Sequence, residues 1–183
     1  MAFNALPIFL DIPGTEPLAR IMLTHLADLG LRLDVAAAAE ADAPPELRLT
    51  AMMAALLTGI QADRQTHGLL SRDIGRLPAA RRIDVKQRRR SLALSLAEPL
   101  RSAAPALRQR PQEAQVLAIS LFAMASASAA WFRPDGVVDI AAYARTLARM
   151  ALTAARDAAR DATRDATRDA TGGFRHRGSC LRG

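Results

Sequence analysis

The sequence is poor in the residues from which many catalytic, metal and nucleotide sites are built. Cys180 is its one cysteine, so an internal disulfide and a cysteine-based metal cluster are excluded. Aromatic residues make up 4% of the 183 residues, too few for a platform on which nucleic-acid bases stack. The chain also contains no GxxxxGK[ST] or GxGxxG loop, and we expect no nucleotide, metal or other cofactor.

The length and charge fit a single cytoplasmic domain. A chain of 183 residues corresponds to one domain by the usual length relation. The first residues have no basic segment and no cleavage pattern of a signal peptide, so we expect a cytoplasmic protein. Lysine and arginine number 25 against 18 aspartates and glutamates, and the net charge of +7 permits an anionic partner without requiring one.

One segment, 114–132, runs for 19 residues without a charge. That length is close to the minimum of about 17 residues for a membrane-spanning helix. Alanine and serine fill much of the segment, however, and a helix that is apolar on most sides is also typical of a buried or subunit-interface position. We therefore expect no membrane insertion.

Apolar residues recur at spacings of three and four along most of the chain, which predicts amphipathic helices. Prolines and the caps Thr15 and Asp139 mark the helix starts. The predicted helices cover 15–39, 45–67, 78–96 and 112–132, with a last one after Asp139. No alternation typical of strands appears, so the predicted fold class is all-α.

Beyond Ala155 the composition changes to a four-residue repeat, RDAA-RDAT-RDAT-RDAT, followed by a short tail. Arginine and aspartate at this spacing form ion pairs along a solvated helix that has only alanine to bury. We expect a frayed helical extension ending in disorder rather than a nucleic-acid-binding arm. The predicted organisation is a lead-in over 1–14, a helical domain over 15–155 and a low-complexity tail over 156–183.

Candidate catalytic and metal-binding residues occur between 63 and 73. Ser71, Asp73 and His67 are close in sequence, but no glycine-rich turn supplies an oxyanion hole, so we expect no enzyme. His67 and Asp63 stand at a helical spacing of four, yet two ligands do not make a metal site. His25, at the edge of an apolar stripe, either lines a cavity or marks the helix boundary.

The strongest charge feature is the segment 76–90, which contains seven basic residues and one acidic residue, Asp84. Arg82, Lys86 and Arg89 share one face of the predicted helix. The simple interpretation is an amphipathic helix with a solvated basic side. The functional alternative is an anionic ligand such as an acyl-CoA, or a nearby DNA backbone.

Three stretches together resemble TetR-type transcriptional regulators. The run at 8–29 resembles the junction between the recognition helix and the linking helix of that family, and 62–92 resembles part of its ligand-binding region. The most specific match lies between the two closing helices, at Trp131, Phe132, Pro134, Asp135 and Gly136. The resemblance covers about residues 8–155.

The resemblance implies a bacterial, cytoplasmic regulator whose C-terminal helical bundle forms a homodimer and senses a small apolar or acyl-type effector. On this basis we expect a ligand pocket formed by Met52, Met53, Leu56, Ile60, His67 and Phe122. We expect the last two helices to form the dimer interface through Leu121, Ala125, Ser128, Trp131, Tyr143, Leu147 and Met150.

The chain departs from the TetR pattern before the junction. TetR-type proteins place a three-helix DNA-binding unit there, and about a dozen residues are too few for one. Direct DNA binding is therefore not expected from this chain. An alternative function is a small helical interaction protein that forms heterodimers with a full-length TetR-type regulator.

Overall fold

The computed structural model describes residues 15–133 and 136–172, and in these ranges the chain is helical with no strand. Seven α-helices follow one another: α1 Thr15–Ala39, α2 Pro45–Ala62, α3 Arg64–Arg72, α4 Ala79–Ser95, α5 Ala97–Ala103, α6 Pro111–Trp131 and α7 Ile140–Gly172. Two short 3₁₀ turns, Ile74–Arg76 and Pro105–Arg108, lie between them. The all-α prediction is confirmed.

The helix after Pro45 is shorter than predicted. The polar segment expected to be its end is a separate helix, α3, because Asp63 interrupts the backbone between them. The Asp63 carboxylate accepts a hydrogen bond from the Thr66 backbone N–H at 3.1 Å, which caps the N-terminus of α3. The cap lets the chain begin a new helix in a different direction. Residues 64–72 therefore face α6 instead of extending α2.

Helix α2 forms the centre of the bundle and packs against α1, α5, α6 and α7. Apart from the exposed Leu47, its large apolar residues are buried, as are those of the facing side of α1. The largest of these buried side chains are Met22, Leu26, Leu29, Leu33, Leu49, Met53, Leu56, Leu57 and Ile60. Burial of an aliphatic side chain contributes about 1.5–3 kcal/mol, so this α1–α2 contact is a large source of stability.

Gly59 lets α1 and α2 approach closely. A Cβ atom at this position would lie 2.6 Å from Cδ2 of Leu29 and 2.9 Å from Cδ of Arg32. Gly59→Ala gains about 1 kcal/mol of helix propensity but forces the buried Leu29 to move, at a cost of about 1–3 kcal/mol. We expect a net loss of about 1 kcal/mol in urea denaturation.

The matched control for this substitution is Gly75→Ala, because a Cβ at Gly75 meets no atom within 4 Å. The control should leave the free energy of unfolding unchanged within about 0.5 kcal/mol. Equal effects of the two substitutions would contradict the close α1–α2 contact.

Helices α6 and α7 close the bundle. Alanines on α6, such as Ala114, Ala118 and Ala125, are fully buried and allow close packing. As predicted, Asp139 caps α7, since its carboxylate accepts a hydrogen bond from the Ala142 backbone N–H. Helix α7 continues through the four-residue repeat to Gly172.

Several sequence predictions fall outside the described residues. These are the lead-in over 1–14, the family-like Pro134 and Asp135, and the tail over 173–183 with His176 and Cys180. Among the described helices, α6 is long and apolar enough to cross a membrane by length and composition, and 39% of its most apolar window is buried inside the protein. A core helix passes the same test, so this property is weak evidence for a membrane span.

Candidate functional site

A groove lined by basic residues lies between α3, α4 and α6. Its volume is about 340 Å³, within the range of small-molecule sites. We call it the basic groove and define it by its lining residues: Arg64, His67, Gly68, Ser71, Arg72, Arg89, Ala123, Ser126, Ala127, Ala129 and Ala130. The lining contains three arginines and no acidic side chain.

One arginine of the groove is held by the backbone, and a second lies against a glycine. Nε and Nη2 of Arg64 donate hydrogen bonds to the carbonyl oxygen of Ala129 at 3.0 and 2.8 Å. The guanidinium of Arg72 lies over Gly68, where a Cβ would be 3.3 Å from Nη2. The absence of a side chain at Gly68 therefore makes room for the charge of Arg72 at the groove wall.

Arg89 is positioned by an aromatic ring. Its Cζ atom lies 5.8 Å from the ring centroid of Phe122, a cation–π distance. Among the described residues, no carboxylate forms an ion pair with Arg64, Arg72 or Arg89. The positive charge of the groove is therefore uncompensated by the described side chains.

The hydroxyl of Ser126 is buried in the groove wall without a partner. The residue is 9% exposed, and its Oγ has no hydrogen-bond partner among the described residues. A buried polar atom without a partner costs about 1–3 kcal/mol. The Ser126 hydroxyl thus has an unused hydrogen-bonding capacity at the groove wall.

A buried pair of histidines separates the basic groove from a second cavity. Nε2 of His25 lies 3.1 Å from Nδ1 of His67, so one ring donates and the other accepts. His67 faces the basic groove, whereas His25 lines a cavity of about 390 Å³ that also contains Asp28, Asp63 and Arg32. The pair joins α1 to α3 through the interior.

Both histidines are kept neutral by their surroundings. Burial lowers the pKa of His67 to about 4, and the nearby charges of His25 and Arg89 act in the same direction. Burial also lowers the pKa of His25, although the carboxylate of Asp63, 4.0 Å from Nδ1, opposes this effect. At neutral pH the pair therefore adds no charge to the groove.

Comparison with known families identifies the fold. A family model described as "Tetracyclin repressor-like, C-terminal domain" matches residues 42–155. The chain belongs to this TetR family. No curated protein matches it.

Two solved structures are similar to this TetR-family chain. A TetR-family transcriptional regulator from Bordetella parapertussis superposes with a TM-score of 0.66 and 21% identity, over 74% of this chain and 69% of the other. The TetR family transcriptional regulator PfmR from Thermus thermophilus gives a TM-score of 0.61 and 21% identity, over 76% and 75%. At this identity the likeness establishes the fold.

The TetR family is one of regulators, and the structure gives two of the catalytic candidates, His67 and Asp73, other partners. Ser71 and His67 both line the groove, but Nδ1 of His67 is bonded to His25. Asp73 is paired with Arg76 at 3.1 Å. Within the described ranges no three His, Cys, Asp or Glu side chains could share a metal ion.

The structure places four residues of the predicted ligand pocket in the core. Met52, Met53, Leu56 and Ile60 are packed in the core and line none of the cavities described here. The prediction treated an apolar stripe as a cavity wall, whereas α1, α6 and α7 cover it. Of the predicted residues, His67 lines the basic groove, and Phe122 lines a neighbouring shallow cavity with Arg89.

The predicted dimer residues also need correction. Leu121, Ala125, Ser128 and Leu147 are buried within the single chain, so they cannot contact a partner. The hydroxyl of Ser128 accepts a hydrogen bond from Gln61 Nε2 at 3.0 Å and thereby ties α6 to α2. The prediction was based on small residues, which here serve packing inside the bundle.

The exposed side of α6 is nevertheless largely apolar, with Gln112 and Ser120 as its exposed polar residues. Trp131 and Met150, both predicted at the interface, are 53% and 52% exposed. Tyr143 is half-buried and its ring lies edge-on to Trp131 at 5.2 Å. We call the exposed stripe of α6 the apolar face; it consists of Val116, Ile119, Ala123, Ala127, Ala130 and Trp131.

The sequence did not predict four of the residues that line the basic groove: Arg64, Gly68, Arg72 and Ser126. A signal was present, since 64, 68 and 72 are four residues apart and thus share one face of a helix. Ser126 gave no signal, because its sequence neighbours are alternating alanines and serines.

Proposed function

We propose that this chain is the effector-binding and dimerisation domain of a cytoplasmic TetR-family transcriptional regulator. The basic groove binds a small acyl-type effector, and the apolar face pairs with a second copy of the chain. The proposal assigns the described helices no direct contact with DNA.

The observation that carries this proposal is that the basic groove and the apolar face share residues of α6. Ala123, Ala127 and Ala130 line the basic groove and also belong to the apolar face. A molecule in the groove therefore contacts the helix that would pack against the partner. Binding can then shift the position of one protomer relative to the other, because small displacements at a packed interface favour one of two arrangements.

The homodimer is supported by the composition of the apolar face. Exposed apolar side chains recur along α6 at spacings of three and four, which is the pattern of a helix that packs on another helix. Alanines in this stripe permit close approach, and Val116 is 62% exposed in the single chain. A contiguous apolar stripe of this kind marks an interaction surface.

We expect Val116→Asp to dissociate the dimer. An unpaired carboxylate at a buried interface costs about 3 kcal/mol or more, which raises the dimer dissociation constant at least about 100-fold. Sedimentation velocity over a concentration series measures this shift.

Val35→Asp is the matched control, because Val35 on α1 is 61% exposed and lies outside the apolar face. The control should leave the mass unchanged. A wild-type chain that stays monomeric, or a dimer dissociated by Val35→Asp but not by Val116→Asp, would refute the proposed interface.

A further inference from the structure

The charge of the basic groove exceeds what a single carboxylate neutralises. Arg64 donates to a carbonyl, Arg72 lies against Gly68 and Arg89 lies over a ring, and none of these groups carries a negative charge. One guanidinium fork matches one carboxylate. Three of them around one groove favour a group with two negative charges and several acceptor oxygens.

The cavity on the other side of the histidine pair provides an internal comparison. It also contains two arginines, Arg20 and Arg32, but Asp28 and Asp63 line it as well. Arg32 is bonded to Asp28 at 2.7 Å. The second cavity is therefore balanced in charge, unlike the basic groove, whose lining contains no acidic residue.

Ser126 supplies a neutral donor beside the three charges. A serine within a helix commonly donates to a carbonyl in the preceding turn, as Ser128 does to Ala125 at 2.6 Å. Ser126 makes no such bond, although its Oγ is buried. An oxyanion in the groove would accept the hydrogen bond that this hydroxyl cannot make within the described residues.

We infer that the basic groove binds a ligand with a doubly charged oxyanion of the phosphate type, contacted by Arg64, Arg72, Arg89 and Ser126. This inference rests on the effector-binding role proposed above and specifies the charged part of the effector. The alanine side of the groove contacts a short apolar chain attached to the oxyanion. A volume of about 340 Å³ holds roughly eleven waters at about 30 Å³ each, enough for such a head group and a few carbons.

Four probes test the class of ligand by isothermal titration calorimetry at constant ionic strength: hexyl phosphate, inorganic phosphate, hexanoate and 1-hexanol. Hexyl phosphate should bind at least about tenfold more tightly than hexanoate, because its second charge and third oxygen add charge-assisted hydrogen bonds to the arginines. Inorganic phosphate should compete with hexyl phosphate but bind more weakly, since it lacks the chain. Hexanol should give no saturable heat.

Variants of the full chain locate the site. Arg72→Gln and Arg89→Gln should each weaken hexyl phosphate binding by about tenfold or more. Arg76→Gln is the matched control, because it removes the same charge from a residue whose side chain is 74% exposed and does not line the groove. The control should bind hexyl phosphate within about twofold of the wild type, as expected for a screened surface charge.

Ser126→Ala separates a binding role from a structural one. It should weaken hexyl phosphate binding about tenfold, through a lost charge-assisted hydrogen bond, without lowering the melting temperature of the free protein. A structural serine would instead lower the melting temperature on removal. Such a loss of stability without a loss of affinity would overturn the assignment of Ser126.

The remaining outcomes distinguish a failure of the dianion inference from a failure of the proposed effector-binding and dimerisation roles. Equal affinity for hexanol and hexyl phosphate would overturn the dianion inference and leave an apolar effector site. The dianion inference would also be overturned if the affinity for hexyl phosphate were weakened equally by Arg76→Gln, Arg72→Gln and Arg89→Gln. Binding would then be a nonspecific attraction of anions to a basic protein. Absence of saturable binding by hexyl phosphate would also overturn the inference, whereas the proposed dimer is tested separately by Val116→Asp.

Discussion

Leu56→Ala is expected to lower the free energy of unfolding by about 2–5 kcal/mol, the range for deletion of a buried leucine side chain in a close-packed core. Leu56 is 0% exposed at the centre of α2. Its neighbours along the same helix, Met53 and Ile60, are equally buried, so the surrounding side chains cannot close the cavity without moving a whole helix. Urea denaturation of the wild type and the variant measures the difference.

Leu31→Ala is the matched control for this prediction. Leu31 on α1 is 63% exposed, so the same atoms are removed from a largely solvated position. The control should change the free energy of unfolding by less than about 0.5 kcal/mol. If Leu56→Ala were no more destabilising than the control, Leu56 would line an open pocket, as the sequence first indicated, and the tightly packed core would be wrong.

The helices were largely predictable because their signals are local. Spacings of three and four, prolines at the starts of α2 and α6 and the cap at Asp139 depend on residues within one or two turns. The boundary between α2 and α3 was missed, because an interrupting aspartate in a polar segment looks the same as a polar helix end. The capping bond from Thr66 to Asp63 becomes visible only once the backbone has turned.

The functional residues were less predictable because they depend on contacts between distant segments. An apolar stripe indicates a buried face, but it does not distinguish a core from a cavity wall; that depends on what covers it. Met52 was assigned to a pocket and lies in the core for this reason. Likewise, the partner of His25 is His67, 42 residues away, and no spacing rule relates them.

The histidine pair should make the protein less stable as the pH falls from 7 to 5. The pKa of His67 in the folded chain is about 4, below the value of 6.5 for an unhindered histidine. Protons therefore bind the unfolded chain more readily, and the stabilisation is complete above pH 6.5 and declines as the pH falls towards 4. At 1.36 kcal/mol per pH unit, His67 accounts for a loss of about 2 kcal/mol by pH 5.

His67→Gln tests this pH dependence, because glutamine can still hydrogen-bond to His25 but does not titrate. Urea denaturation at pH 7 and pH 5 should give a smaller difference for the variant than for the wild type, by about 2 kcal/mol. The measurements stay at pH 5 and above so that Asp63 keeps its charge throughout. The pKa of Asp63 is lowered from 3.8, chiefly by its hydrogen bond to Thr66, so this carboxylate becomes protonated only below pH 5.

His25→Gln distinguishes the contribution of the pair from that of burial alone. Burial is the largest cause of the low pKa of His67, and the charge of His25 is the next. Removing His25 should therefore retain most of the pH dependence, whereas removing His67 should abolish most of it. Equal loss of the pH dependence in both variants would mean that repulsion between the two rings, whose nearest nitrogens are 3.1 Å apart, lowers the pKa of His67 more than burial does.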